Sequence, residues 1–205
     1  MTIRRAGLSA TVLAGVTALV TALTAVPAGA ATATVTDPTG DSGQGVDLVA
    51  LDVRHATPKA PNRLVLRARH TGLPDFDSGV FTTVTFWIDV DRADHGPELV
   101  ADVVPNSGGM RLLRVEGWSR ADKRVQPCPG LRARADVFTD GPVTLSVPRS
   151  CLGDPARVRG AVKAVGETPQ DEVVGRDWVG GRRHWSPWVR RFVRVSGGGQ
   201  QPTAP

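Results

Sequence analysis

Tyrosine is absent from this sequence, and cysteine, methionine and glutamate are scarce. A surface that stacks on sugars usually draws on tyrosine as well as tryptophan, so any such surface here lacks one of its usual residues. The four glutamates are Glu98, Glu116, Glu167 and Glu172, so paired-carboxylate chemistry would have to draw largely on aspartate. The four histidines, His55, His70, His95 and His184, form no H-E-x-x-H and show no zinc-ligand spacing. Ser107 sits in Asn106-Ser107-Gly108-Gly109, which lacks the G-x-S-x-G elbow of a nucleophilic serine and reads as a turn. Helical periodicity is nearly missing as well; its best trace is a turn near Arg149 to Leu152. No internal repeat is found.

Long apolar runs are also lacking, except at the start. Arg4 and Arg5 precede an uncharged stretch from Ala6 to Val26, and Ala28-Gly29-Ala30 supplies a small-x-small cleavage pattern. These three parts make residues 1–30 an expected secretory signal peptide. Pro27 and the Ala, Thr and Gly content argue against a spanning helix. The arginine pair fits either the general secretory or the twin-arginine route. No later stretch reaches eighteen apolar residues, so no membrane span is expected after cleavage. Loss of Arg4 and Arg5 lowers the formal charge from +5 to +3, a balance too even to point to nucleic acid. The expected product is secreted, extracellular or associated with the cell surface. It comprises one domain over 31–196 and a disordered tail, Gly- and Gln-rich, over 197–205.

The two cysteines, Cys128 and Cys151, both lie in the exported part. An even count in an oxidising compartment favours a disulfide, and only one intramolecular pairing exists.

What the chain has in quantity is period-two alternation. Val49, Leu51 and Val53 alternate with Asp52 and Arg54, and Leu64, Leu66 and Ala68 face away from Arg63, Arg67 and Arg69. Further strands are expected at Val80–Val90, Glu98–Val104, Met110–Trp118, Leu131–Phe138, Pro142–Pro148, Arg157–Val165 and Val189–Val195. Turn formers such as Thr57-Pro58, Gly72-Leu73-Pro74 and Asp140-Gly141-Pro142 separate them. About nine short strands at this spacing predict an all-β antiparallel sandwich or barrel, and the sandwich is the form expected here.

Two clusters could carry chemistry. Asp37, Asp41 and Asp47 crowd the approach to the first alternating strand, and Asp89, Asp91 and Asp94 follow Val84–Ile88 with Gly96 close behind. Alternating carboxylates in a glycine-bearing turn offer the hard oxygens that calcium requires, although the spacing departs from the EF-hand loop. The plainer alternative is that these aspartates cap turn amides. Trp178, Trp185 and Trp188 share a short stretch with Arg183 and Arg190. Tryptophan rings stack on sugars and arginine binds anionic groups, which suits a polysaccharide or cell-envelope component. The alternative is that Trp185 and Trp188 anchor the last strand and the arginines line its wet face.

Several segments together resemble a known group. These are Asp37-Pro38-Thr39-Gly40-Asp41 leading to Asp47-Leu48, Trp87-Ile88-Asp89-Val90-Asp91, Val147 to Gly153, and Ser186-Pro187-Trp188-Val189. The set resembles secreted actinobacterial β-sandwich proteins of unassigned activity, similar in outline to family 9-like carbohydrate-binding and DOMON modules. The resemblance implies a jelly-roll-like sandwich with a structural calcium held by the N-terminal aspartates. Haem, which some DOMON modules bind through Met and His, is not expected: Met110 is the only methionine after the signal. The expectation is a non-catalytic secreted binding module, the alternative an exported hydrolase whose site is assembled from dispersed Asp and Ser residues.

Overall fold

The computed structural model describes residues 31–42, 46–74, 78–135 and 141–192. The expected signal peptide, the expected tail, residues 193–196 of the expected domain and positions 136–138 of one expected strand lie outside the described residues.

Alternation becomes structure most directly in the hairpin of β2 (Leu48–Thr57) and β3 (Ala60–His70), joined across Pro58 and Lys59. Leu51, Val53 and His55 face inward against Ala68, Leu66 and Leu64. The pairing is disturbed near its end, where Ala56 adopts φ +50° and the register shifts between His55 and Thr57. β1 (Thr32–Thr36) adds to β2, and β9 (Val143–Pro148) and β8 (Arg132–Arg134) follow β3. The first sheet therefore runs β1-β2-β3-β9-β8, antiparallel throughout.

The second sheet has β11 (Val173–Trp178), β10 (Arg157–Glu167), β4 (Phe81–Asp89), β5 (Leu99–Val104), β6 (Gly109–Arg114) and β7 (Arg124–Val125) in that order. β12 (Val189–Arg190) pairs with the start of β10. The expected antiparallel sandwich is present, with twelve strands among the described residues rather than nine. The three that alternation did not signal are β1, β7 and β11. The strand expected over Met110–Trp118 stops at Arg114, because Gly117 turns the chain with φ +69°.

The core lies between the sheets. Val53, Leu66 and Leu145 from the first sheet meet Val84, Phe86, Ile88 and Val162 from the second, all fully buried. At roughly 25 cal/mol per Å² of apolar surface removed from water, this layer drives the fold. Gly160 is needed where β10 crosses the first sheet: a Cβ there would lie 3.1 Å from Leu66 Cδ2 and 3.4 Å from Val53 Cγ2. The Cys128–Cys151 disulfide is formed. It ties the approach to β8 to the 3-10 turn Arg149–Leu152 that follows β9, and Cys151 is buried at the core edge. β12 joins the two sheets at one end, since Phe192 N–H donates to the His55 carbonyl at 3.4 Å while Val189 sits in the core.

Candidate functional site

The outer face of the second sheet is where the aromatic chemistry gathers. In β4 the core takes Val84, Phe86 and Ile88, so Thr83, Thr85, Trp87 and Asp89 point the other way. Strand register then lays residues side by side in rows. One row reads Ala161, Trp87, Val100, Leu113; the next reads Trp178, Lys163, Thr85, Asp102, Arg111. The first row is apolar and supports a second, smaller hydrophobic cluster against which Trp118, Trp178 and Trp185 pack.

All five tryptophans of the chain belong to this face. Trp118 is central, with ring centroids 5.2 Å from Trp87, 5.8 Å from Trp178 and 4.7 Å from Trp185. Gly96 and Gly117 place it: a Cβ on Gly96 would lie 2.6 Å from the Gly117 Cα, so the two turns touch backbone to backbone. Trp185 is carried in by a loop strapped to β10, where Ser186 N–H donates to the Gly160 carbonyl at 2.8 Å and Gly160 N–H to Ser186 Oγ at 3.0 Å.

Cations cover the rings. Arg159 lies 4.7 Å from both the Trp185 and Trp188 centroids, Arg183 is 5.7 Å from Trp118, and Lys163 and Arg120 are 5.8 Å from Trp178 and Trp87. Arg159 also donates through Nε to the fully buried Asp89 at 2.6 Å and forms an ion pair with it. Burial pushes the Asp89 carboxyl up, although Arg159 opposes this. Asp102 accepts from Thr85 Oγ1 at 3.1 Å and is flanked by Arg120 and by Arg111 at 3.5 Å. Burial, with Arg120 and Arg176 nearby, lowers the Lys163 ammonium pKa. The rings are half-buried except Trp87, which is buried.

Of the residues singled out in the sequence, Trp178, Trp185, Trp188 and Arg183 therefore come together. Arg190 does not join them; it is exposed on β12, opposite Arg157. Sequence reading missed Trp87, Trp118, Arg120, Arg159 and Lys163. For Trp87 the signal was available, since it falls on the outward phase of β4.

The N-terminal aspartates form a second cluster. Asp37, Asp41 and Asp177 each bring a carboxylate oxygen within 4.8 Å of the others. Asp37 Oδ1 accepts from Gly180 N–H at 2.5 Å, but its Oδ2 is buried with no hydrogen bond. Asp47 is spent on the turn, both oxygens accepting from Gly40 N–H at 3.0 Å. Asp177 accepts from Leu48 N–H at 2.5 Å and Trp178 N–H at 2.6 Å. Burial, then the negative charge of Asp41, raises the Asp37 and Asp177 pKa values, so positive charge here would be welcome. Asp89, Asp91 and Asp94 are engaged differently. Asp89 holds Arg159, Asp91 accepts from Ala93 N–H at 2.9 Å, and Asp94 is exposed at a cleft.

That cleft, of about 560 Å³, opens between the β4–β5 and β6–β7 connections and is lined by Asp94, His95, Glu98, Glu116 and Asp122 among others. Glu98 Oε2 accepts from Val90 N–H at 2.7 Å, while Oε1 is buried without a partner. Burial, together with the Asp89 charge, raises its pKa. No protein-family model matches this chain, and no curated protein matches it in sequence.

Proposed function

We propose that this protein is an exported, non-catalytic sandwich module that binds a polysaccharide or cell-envelope component through the outer face of its second sheet. The observation that carries the reading is the gathering of every tryptophan onto one face, interleaved with Arg120, Arg159, Lys163 and Arg183. The rings of Trp118, Trp178, Trp185 and Trp188 lie half in water, and a sugar face is a natural cover for them. Arginine and lysine beside the rings supply donors for hydroxyl, carboxylate or phosphate groups. The test is co-sedimentation with insoluble polysaccharides and with isolated actinobacterial cell wall. Binding should be lost in Trp185→Ala/Trp188→Ala and weakened in Arg120→Gln, with melting temperature checked in parallel. Unchanged binding in both variants would remove this face from consideration.

A structural calcium at Asp37, Asp41 and Asp177 is the second component of the proposal. Three converging carboxylates, one with a buried oxygen lacking any donor, fit a hard cation whose oxygen contacts run about 2.3–2.6 Å. Such an ion would tie the start of the domain to the end of β11. Calcium at about a hundred times its Kd should stabilise by about 2.7 kcal/mol, a melting rise of roughly 5–10 °C. Asp41→Asn should abolish the rise. Asp89→Asn/Asp91→Asn should leave it intact, and the opposite pattern would move the ion to the β4–β5 connection.

A hydrolase is the second reading, and it draws on Glu98 rather than on the dispersed Asp and Ser residues expected from the sequence: Glu98 is a carboxyl of raised pKa in a cleft shared with Asp94 and Asp122. Hydrolysis of a glycoside panel that disappears in Glu98→Gln would favour it over the binding reading.

A further inference from the structure

The mild overall charge conceals a strong asymmetry on the opposite side of the molecule. In the first sheet, the inward phase is taken by Ala33, Val53, Leu66, Leu145 and Ala133 in one continuous row. The outward phase alternates with it. One outward row reads Thr34, Asp52, Arg67, Thr144, Arg134; the next reads Thr32, Arg54, Val65, Ser146, Arg132. Arg69 and Arg63 lie further along β3 on the same phase, opposite Ala50 and Pro148. Among the described residues, six arginines thus share one sheet face with a single carboxylate, Asp52.

The arginines differ in what occupies them. Arg63 is structural, donating through Nε to Ser146 Oγ at 2.5 Å and through Nη2 to the Gly130 and Ser146 carbonyls. Arg69 reaches Asp52 at 3.6 Å, and Asp52 is also held by Thr34 Oγ1. The side chains of Arg54, Arg67, Arg132 and Arg134 make no ion pair or hydrogen bond among the described residues. Arg132 and Arg134 are exposed; Arg54 and Arg67 are half-exposed.

We infer that this arginine face is a second binding surface, distinct from the tryptophan face, and that it takes a linear anionic glycopolymer. Strands about 4.8 Å apart and side chains repeating every second residue set out guanidinium groups in a flat array. Guanidinium groups bind carboxylates and phosphates through paired donors. A chain bearing an anion on each repeat complements such an array better than an isolated small anion does. A lipid surface is disfavoured, because the exposed large apolar residues Phe81, Met110, Val125 and Val173 belong to the second sheet and Phe192 follows β12. Among the described residues, nothing large and apolar is exposed on the arginine face to enter a bilayer. The two faces together make a two-sided module that can bridge one polymer to another.

The experiment titrates the protein with sodium polygalacturonate and with poly(glycerol phosphate) at several salt concentrations. Neutral xylan and anionic phospholipid vesicles serve as comparisons. At least one polyanion should bind, and affinity should fall steeply as salt rises, through counterion release. Which of the two binds tells carboxylate from phosphodiester. Arg67→Gln/Arg132→Gln/Arg134→Gln should weaken binding about tenfold or more and flatten the log–log salt slope by about three, roughly one per arginine. The charge-matched control Arg92→Gln/Arg114→Gln/Arg124→Gln should change both far less. Equal losses in the two triple variants, binding to vesicles alone, or no polyanion binding at low salt would overturn the inference.

Discussion

Replacing Arg159 by methionine removes the cation that faces the buried Asp89 carboxylate. Asp89 is fully buried, while the Arg159 side chain is 23% exposed and sandwiched by Trp185 and Trp188. Methionine fills much of the arginine stem's volume, so the loss is chiefly of charge. A buried carboxylate stripped of its partner costs about 3–5 kcal/mol, and the Asp91 N–H that still donates to Asp89 at 3.2 Å holds the figure toward the lower end. The two lost cation–π contacts restore about 1 kcal/mol of cost. For a domain of this size the sum lowers the melting temperature by roughly 10 °C at pH 7. The pH dependence gives the mechanism away. In the variant the folded pKa of Asp89 rises further above its unfolded value, so the folded chain holds the proton more tightly. Stability is then lost as pH rises through that pKa and recovered as pH falls. Adding Asp89→Asn should restore part of the loss, because the amide keeps an oxygen for the Asp91 N–H and carries no charge. Differential scanning calorimetry at pH 7 and pH 4.5 would decide. A melt within about 2 °C of wild type, or strictly additive losses in the double variant, would refute the reasoning.

Other perturbations probe different parts of the molecule. Cys151→Ser opens a loop spanning 23 residues of separation, worth about 3 kcal/mol by chain entropy, and should lower the melt in air by roughly 6–12 °C; an unchanged melt would mean that the crosslink adds nothing. His55 is fully buried, and burial with the nearby Arg149 and Arg191 pushes its pKa down to about 4. Its folded pKa lies below the unfolded value near 6.5, so stability is complete above pH 6.5 and about 3 kcal/mol is lost as pH falls to 4. Urea melts across that range should show the loss in wild type and a shallower one in His55→Leu. Gly160→Val should cost about 1–3 kcal/mol through overpacking against Leu66 and Val53, whereas a neutral effect would mean that the sheets part there easily.

Much of the sandwich was legible because a strand with one wet face writes its period into the sequence. The alternation at Leu51–Arg54 and across Arg63–Arg69 marks β2 and β3, and both strands formed on either side of the expected Thr57-Pro58 turn. β1 escaped because its exposed phase is threonine and its inner phase only Ala33 and Val35, beside a run of turn formers. β11 escaped because Gly175 interrupts it and its buried inner residue is the carboxylate Asp177.

The candidate surfaces were legible only in fragments. Trp178, Trp185 and Trp188 declare themselves by crowding, but Trp87 and Trp118 come from parts far away in sequence, Trp87 joining them through strand register and Trp118 through the turn that Gly96 and Gly117 set. Likewise Asp177 reaches Asp37 and Asp41 because β11 and the loop after it return to the N-terminal strand. The arginine face needed strand order: Arg63, Arg67 and Arg69 show a wet face on β3, yet only β9 between β3 and β8 brings Arg132 and Arg134 onto it.

Because every tryptophan lies on one face and there is no tyrosine, intrinsic fluorescence reports on that face alone. Titrating the protein with a soluble fragment of a polysaccharide that it co-sediments with, and recording tryptophan emission, is the most direct test of where binding occurs. The account predicts a saturable change in emission, with reduced quenching by acrylamide, tracking the binding isotherm. Binding that saturates while emission and quenching stay constant would contradict it.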